Sequence, residues 1–175
     1  MKIKMNRSGH KITKYNIEFD SLLELDIYEE FLSRGIYLTR GTPIKVLNSS
    51  SNPMFCYSND NKKFELKRES NLIRCVEYTP DFTLEVQYEV KEKSGKDVLK
   101  GKINVYIELK GFANETFRYR WKLFKQWIIE NDPTARIFLI KRRHNGRVKP
   151  KDNAARIEET KKIVGNILNI IYYNE

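Results

Sequence analysis

Alternation of apolar and polar positions in the middle of the chain predicts a β-hairpin. Residues 82 to 90 place an apolar side chain at every second position, and residues 102 to 112 repeat this period of two. The polar segment 91 to 97 between them contains a glycine and suits the turn. Because residues i and i+2 of a strand point to the same face, each strand is predicted to bury one face.

Apolar residues at helical spacing predict three helices. The first covers residues 21 to 34, with Ser21 or Asp20 as its cap, and the second covers residues 114 to 132. The third starts near residue 152 and runs to the end of the chain. Its buried stripe is predicted to consist of Ile157, Val164, Leu168 and Ile171.

Shorter extended runs, separated by turn residues, fill the rest of the chain. The order of helix, strands, helix, strand and helix, with no repeat and no linker, indicates one α/β domain over residues 1 to 175. Its sheet is expected to be mixed and flanked by helices, and residues 1 to 18 are expected to form an irregular arm with at most one short strand. Further strands are predicted within residues 41 to 48, 54 to 57, 64 to 68, 136 to 141 and, as the longest, 72 to 90.

Basic residues outnumber acidic ones, and they concentrate in one part of the chain. The formal net charge is +10, and residues 110 to 151 contain 12 Lys and Arg against 3 Asp and Glu. Such a segment favours a polyanionic partner, nucleic acid before an anionic membrane, although a solvated lysine-rich surface has the same composition. No stretch approaches the ~20 apolar residues of a membrane span, and the basic N-terminus lacks the apolar core of a secretory signal. We therefore expect a cytoplasmic protein without a membrane partner.

Three side chains of the predicted hairpin carry the candidate chemistry. Glu108 and Lys110 share one strand face, and Asp81, which follows Pro80, can lie beside Glu108 on the neighbouring strand. Two adjacent carboxylates repel each other unless a proton or a cation intervenes, and Mg²⁺ prefers such oxygen ligands. A nearby lysine can hold a water molecule or neutralise a phosphate, so the three groups suit attack on a phosphodiester. Each signal also has an ordinary explanation, since an acid and a lysine on a strand are most often a surface ion pair and Pro-Asp is a common turn.

The order of these residues along the chain carries a family resemblance. The segments "TPDFTL" and "YIELKGF" resemble the signature of the PD-(D/E)XK nuclease superfamily, in which an acid after proline is followed by Asp or Glu, any residue and Lys. The stretch "NRSGHKITKYNIEFDSLLELDIYEEFL" and the basic "FRYRWKLFK" are similar to small phage and prophage members, which are often described as endonucleases or junction resolvases. The resemblance covers roughly residues 7 to 140.

The resemblance implies a restriction-endonuclease-like core and a set of site residues. Asp81 and Glu108 would bind Mg²⁺, which Mn²⁺ can replace, together with the backbone carbonyl of Leu109. Lys110 would orient or polarise the attacking water. Glu24 on the first helix would occupy an additional acidic position of the superfamily and contact a second metal ion or its water. A capping box, in which Glu24 reaches back to the start of its own helix, explains the same residue without catalysis.

The remaining expectations concern the partner and the reaction. We expect a Mg²⁺-dependent DNA endonuclease of phage recombination or DNA processing, with branched junctions as one substrate, in the host cytoplasm if a phage encodes it. Symmetric cleavage of two strands would need two active sites and hence a homodimer. The alternatives are a nuclease that cuts transposon ends or restriction sites with a partner protein, and an inactive module that binds nucleic acid or protein. The expected phosphate contacts are Arg118, Arg120, Lys122, Lys125, Arg142 and Arg143.

Overall fold

The computed structural model describes residues 11–49, 54–60, 63–69, 74–91, 98–111, 114–141 and 153–173. By its internal contacts the chain divides into two compact units, which we describe separately. Unit 1 comprises Met1–Gly41, Pro80–Phe112 and Thr134–Glu175, and unit 2 comprises Thr42–Thr79 and Ala113–Pro133. The expected organisation as one domain stays a prediction. No helix in the described ranges is long and apolar enough to cross a membrane.

The described residues form a mixed α/β architecture, as expected for the class. In chain order the elements are β1 (Ile12–Lys14), β2 (Ile17–Phe19), α1 (Leu22–Ser33), β3 (Thr39–Arg40), β4 (Ile44–Leu47), β5 (Met54–Asp60), β6 (Lys63–Glu69), β7 (Val76–Tyr78), β8 (Phe82–Lys91), β9 (Val98–Lys110), α2 (Glu115–Asn131), β10 (Arg136–Lys141) and α3 (Asn153–Tyr173).

Unit 1 is built on a four-stranded mixed sheet with the strand order β10-β9-β8-β3. The predicted hairpin is confirmed, because β8 and β9 pair antiparallel with Phe82 opposite Ile107. β10 runs parallel to β9, and β3 runs antiparallel to β8, which makes the sheet mixed. Phe82 and Ile107 are fully buried in one core cluster with Phe31 of α1 and Val164 of α3. Two helices therefore cover the apolar face that the period of two predicts.

Two parts of unit 1 differ from the predictions. The expected irregular arm contains the hairpin of β1 and β2, whose turn residues Tyr15 and Asn16 have φ angles of 57° and 59°. Positive φ at both positions is typical of a type I′ turn, which the sequence does not signal here because the usual glycine is missing. In α3, Ile157 is 48% exposed, so its predicted place in the buried stripe is wrong. The first buried residue of this helix is Thr160, and the two turns before it lie outside the core.

The long strand predicted over residues 72 to 90 is interrupted before Asp81. β7 ends at Tyr78 and pairs with β4, whereas β8 begins at Phe82 and pairs with β9 and β3. Pro80 between them has no N–H to donate to a strand ladder. The backbone of Gly41 also approaches Pro80 closely, because a β-carbon at residue 41 would lie 1.9 Å from the Pro80 carbonyl oxygen. The interruption leaves Asp81 at the start of β8 and in the sheet of unit 1.

Unit 2 contains α2 and the strand pairs β4–β7 and β5–β6. Asn114 caps α2, since its side chain accepts a hydrogen bond from the N–H of Phe117 at 2.8 Å. The apolar side of α2 packs on β7, where the ring centroid of Tyr78 lies 4.4 Å from that of Phe124 and 5.8 Å from that of Trp121. These aromatic contacts account for the apolar side of α2.

Candidate active site

The structure brings Asp81, Glu108 and Lys110 together in unit 1. The β8–β9 register, continued by one residue beyond the pair Phe82–Ile107, sets Asp81 opposite Glu108. The ammonium nitrogen of Lys110 lies 2.7 Å from Oε1 of Glu108. Asp81 Oδ2 accepts a hydrogen bond of 2.6 Å from the N–H of Leu109. One strand end and its neighbour therefore supply two carboxylates, an ammonium and a backbone edge.

Glu108 is buried although it lies on the polar face of β9. Its side chain is only 3% exposed, and Oε2 is buried with no hydrogen-bond partner among the described residues. For comparison, the same hairpin contains a second ion pair, Glu85–Lys102, at 3.0 Å. Its side chains are 48% and 64% exposed. Because a buried carboxylate oxygen without a partner costs stability, the pair Glu108–Lys110 is not an ordinary surface ion pair.

The surroundings of the Asp81 carboxyl disfavour its ionised form. Burial, followed by the charge of Glu108 and more weakly that of Glu24, raises the pKa of Asp81 from 3.8 to about 7. The hydrogen bond from Leu109 and the charge of Lys110 oppose this rise. At neutral pH a substantial fraction of Asp81 is therefore protonated. A cation between the carboxylates would favour the ionised form.

The ammonium of Lys110 is held in its charged form. Burial acts to lower the pKa of Lys110, but the hydrogen bond to Glu108 and the charges of Glu108 and Asp81 outweigh it, so the pKa is raised above 10.5. A lysine with such a pKa donates hydrogen bonds and offers positive charge at neutral pH. It does not accept a proton there.

Glu24 is buried and surrounded by hydrogen-bond donors. Its carboxylate accepts from the N–H of Asp20 at 3.0 Å, from the hydroxyl of Ser21 at 3.2 Å and from Arg40 Nη1 at 2.9 Å. Ser21 is the N-cap of α1 and accepts from the N–H of Glu24, so the capping-box explanation is confirmed, with Asp20 in place of the cap residue as backbone donor. Glu24 also contributes to the raised pKa of Asp81. Its predicted role as a metal ligand stays a prediction.

Arg40 is a site residue that the sequence does not reveal. Besides Glu24, its guanidinium donates to the carbonyl of Glu18 at 2.7 Å and to the carbonyl of Asp81 at 3.4 Å. It lies over the rings of Phe82 and Phe19, at 5.1 and 5.7 Å from their centroids. A single arginine in the short run "LTRGTP" has no periodicity and no motif, so no sequence signal marks these contacts.

The donor set available to a hard cation consists of two carboxylates and one carbonyl. Glu108 Oε2 has no hydrogen-bond partner among the described residues, and Asp81 lies opposite Glu108 with its Oδ2 bonded to the Leu109 N–H. The N–H and C=O of one strand residue point to the same edge of the strand, so the Leu109 carbonyl lies on the side of Asp81. Among the described residues, no group of three or more His, Cys, Asp and Glu side chains could hold a metal ion together. The oxygen donors fit Mg²⁺ or Mn²⁺, which complete their shell with water.

The predicted phosphate contacts that the structure describes lie on α2 in unit 2. All four are exposed, and none of their side chains makes a hydrogen bond or an ion pair with the rest of the described chain. Arg118, Lys122 and Lys125 form one stripe at spacings of four and three residues, whereas Arg120 points to another side of the helix. Arg142 and Arg143 lie outside the described residues.

A comparison of the chain with family models, with curated proteins and with solved structures found no match.

Proposed function

We propose that this protein is a divalent-metal-dependent nuclease that hydrolyses phosphodiester bonds in DNA, built on a restriction-endonuclease-like core. The observation that carries the proposal is the buried Oε2 of Glu108 beside Asp81, which has no hydrogen-bond partner among the residues that the structure describes, with the Lys110 ammonium 2.7 Å from the other oxygen of Glu108. A partly protonated acid, an unsatisfied carboxylate oxygen and a charged lysine together form a costly arrangement in a protein interior. A bound cation offsets that cost, and hydrolysis of a phosphodiester gives the arrangement a use.

In this proposal Asp81, Glu108 and the Leu109 carbonyl hold Mg²⁺. When bound, the cation polarises a phosphoryl oxygen and stabilises the negative charge that develops on attack. Asp81 and Glu108 also fix the edge at which the phosphate approaches, since both sit on paired strands. Lys110 stays protonated and donates hydrogen bonds to the attacking water or to a phosphate oxygen, which orients the nucleophile and adds positive charge.

The stripe of Arg118, Lys122 and Lys125 supports DNA as the partner. These exposed cations have no acidic partner within the described ranges and are available for phosphates, and such contacts bind without reading sequence. Phage recombination or DNA processing, branched junctions as substrate, a homodimer and a cytoplasmic location belong to the same proposal. They rest on the resemblance to the small phage members of the superfamily.

The test is a cleavage assay on plasmid, linear duplex and four-way junction, each with Mg²⁺, Mn²⁺ or EDTA. We expect cutting that requires the metal and disappears in Asp81→Asn and Glu108→Gln. The matched control is Glu85→Gln, which removes an exposed acid from the same hairpin and should cut normally. Wild-type protein that binds DNA but cuts no substrate with either metal would refute the nuclease and support a binding module. Cutting that appears only after a partner protein is added would favour the transposon-end or restriction type.

DNA binding is tested with a second pair of variants. Lys122→Glu with Lys125→Glu should weaken binding and make the slope of log K against log salt shallower by about 1 to 2, since each lost phosphate contact removes about 0.9. Lys161→Glu with Lys162→Glu changes the charge equally on exposed positions of α3 and is the control. An equal loss of affinity in both double variants would show that only net charge matters and would remove the stripe from the proposal.

A further inference from the structure

Glu24 differs from the other two acids of the site in what already surrounds it. Of the roughly four lone-pair positions of a carboxylate, three on Glu24 face donors. These donors are the Asp20 N–H, the Ser21 hydroxyl and Arg40. Glu108, by contrast, has one oxygen, Oε2, with no hydrogen-bond partner in the described part of the chain. The two acids therefore offer a cation very different numbers of free ligand positions.

Arg40 adds a charge barrier to this saturation. Its guanidinium is 2.9 Å from Glu24 and is fixed from several sides, by the Glu18 carbonyl and by the rings of Phe82 and Phe19. A cation that used Glu24 as ligand would have to displace this arginine or sit beside its positive charge. Like charges at such a distance repel strongly in a partly buried site. The absence of a three-acid group among the described residues agrees with this arrangement.

We infer that Arg40 keeps Glu24 out of the metal-ligand set, so that the site takes one divalent cation rather than two. Arg40 is then a positioning residue, and Glu24 fixes it in turn while capping α1. This inference deepens the proposed nuclease function and rests on it. The inference differs from the metal-binding role that the family resemblance implies for Glu24. The resemblance rests on the acid alone and does not take account of Arg40 beside it.

The probe is Mn²⁺, counted per chain by the loss of its free signal in electron paramagnetic resonance at pH 8. We expect one ion on the wild type, one ion on Glu24→Gln, and none on Glu108→Gln. Arg40→Met should bind a second ion, since it releases Glu24 and removes the positive charge. Arg40→Lys keeps a positively charged side chain and should bind one Mn²⁺ ion. Arg40 also contributes to the fold, but a loss of fold would not by itself create a second metal site. The ion count therefore separates a positioning role of Arg40 from a role in stability.

The measured ion counts test the inference about Arg40 and the proposed nuclease function separately. Two ions on the wild type, or no ion on Glu24→Gln with its fold intact, would overturn the inference and leave the proposed function standing. A single ion on folded Arg40→Met would show that the arginine is not what limits the site, which also overturns it. If Arg40→Met does not fold, the wild type and Glu24→Gln still decide by their ion counts. No Mn²⁺ on the wild type would refute the proposed function itself.

Discussion

Replacing Asp81 by asparagine should make the protein more stable at alkaline pH. Asparagine keeps an oxygen that can accept from the Leu109 N–H, but it has no charge to bury. Because the folded protein raises the pKa of Asp81 from 3.8 to about 7, the folded state binds this proton more tightly than the unfolded chain. Stability contributed by the group is therefore lost as the pH rises through that interval, and the ionised carboxylate costs free energy above it.

The magnitude follows from the shift. One pKa unit corresponds to about 1.4 kcal/mol, so the raised pKa of Asp81 lowers the free energy of unfolding by about 4 kcal/mol at pH 8, where the folded carboxyl is ionised. At pH 5 it lowers this free energy by about 2 kcal/mol, because the unfolded chain has ionised while the folded carboxyl is still protonated. The free energy of unfolding of Asp81→Asn, minus that of the wild type, should thus increase by roughly 2 to 3 kcal/mol between these pH values. Taking this difference removes the titration of the other acids, which both proteins share.

The assay is urea unfolding at several pH values with EDTA, followed by circular dichroism at 222 nm. Tryptophan fluorescence is unsuitable, because Trp121 and Trp127 both lie in unit 2 and Asp81 lies in unit 1. Glu85→Gln removes an exposed acid of the same strand and is the control, which should not reproduce the increase seen with Asp81→Asn. Added Mg²⁺ should stabilise the wild type at pH 8 and not Asp81→Asn, since only a protein that binds the ion in its folded state gains stability from it. A difference that is independent of pH, or that shrinks as the pH rises, would refute the electrostatic account of the site.

Two further variants probe the proposed catalytic role of Lys110 and the start of β8. Lys110→Met should cut DNA about 10²- to 10³-fold more slowly, as expected for the loss of one charge-stabilising donor. Calorimetry should show that this variant binds Mg²⁺ at least as tightly as the wild type, because the ammonium no longer competes for Glu108. Equal losses of cutting and metal binding would contradict this role. Gly41→Ala should lower stability by about 1 to 3 kcal/mol in thermal unfolding, because its β-carbon would lie 1.9 Å from the Pro80 carbonyl oxygen. Gly111→Ala is the control, because no atom of the described residues lies within 4 Å of the added carbon, so equal effects of the two substitutions would speak against the clash.

The sequence predicts those parts of the fold that depend on local periodicity. The hairpin of β8 and β9 follows from a period of two, and the start of α1 follows from the capping pair of Ser21 and Glu24. The same periodicity assigns Glu108 to a polar face, and only the assembled sheet buries it. Local sequence patterns do not show which distant segments of the chain come into contact. The contact of Arg40 with Glu24 and the approach of Gly41 to Pro80 are of this kind.

The distribution of counter-charges explains why one acid of the site differs from the other two. Glu24 has Arg40 at 2.9 Å and Glu108 has Lys110 at 2.7 Å, so each of these two carboxylates is matched by a cation. Asp81 has a backbone N–H instead, which stabilises its charge less than a cation would. With all three acids ionised, this group of five side chains carries one negative charge, and the raised pKa of Asp81 shows where that charge is least tolerated. A single Mg²⁺ would turn the excess into one positive charge, which is the sign that a phosphodiester requires. Binding of a phosphate at this site should therefore depend on the metal, even though binding of DNA through α2 need not.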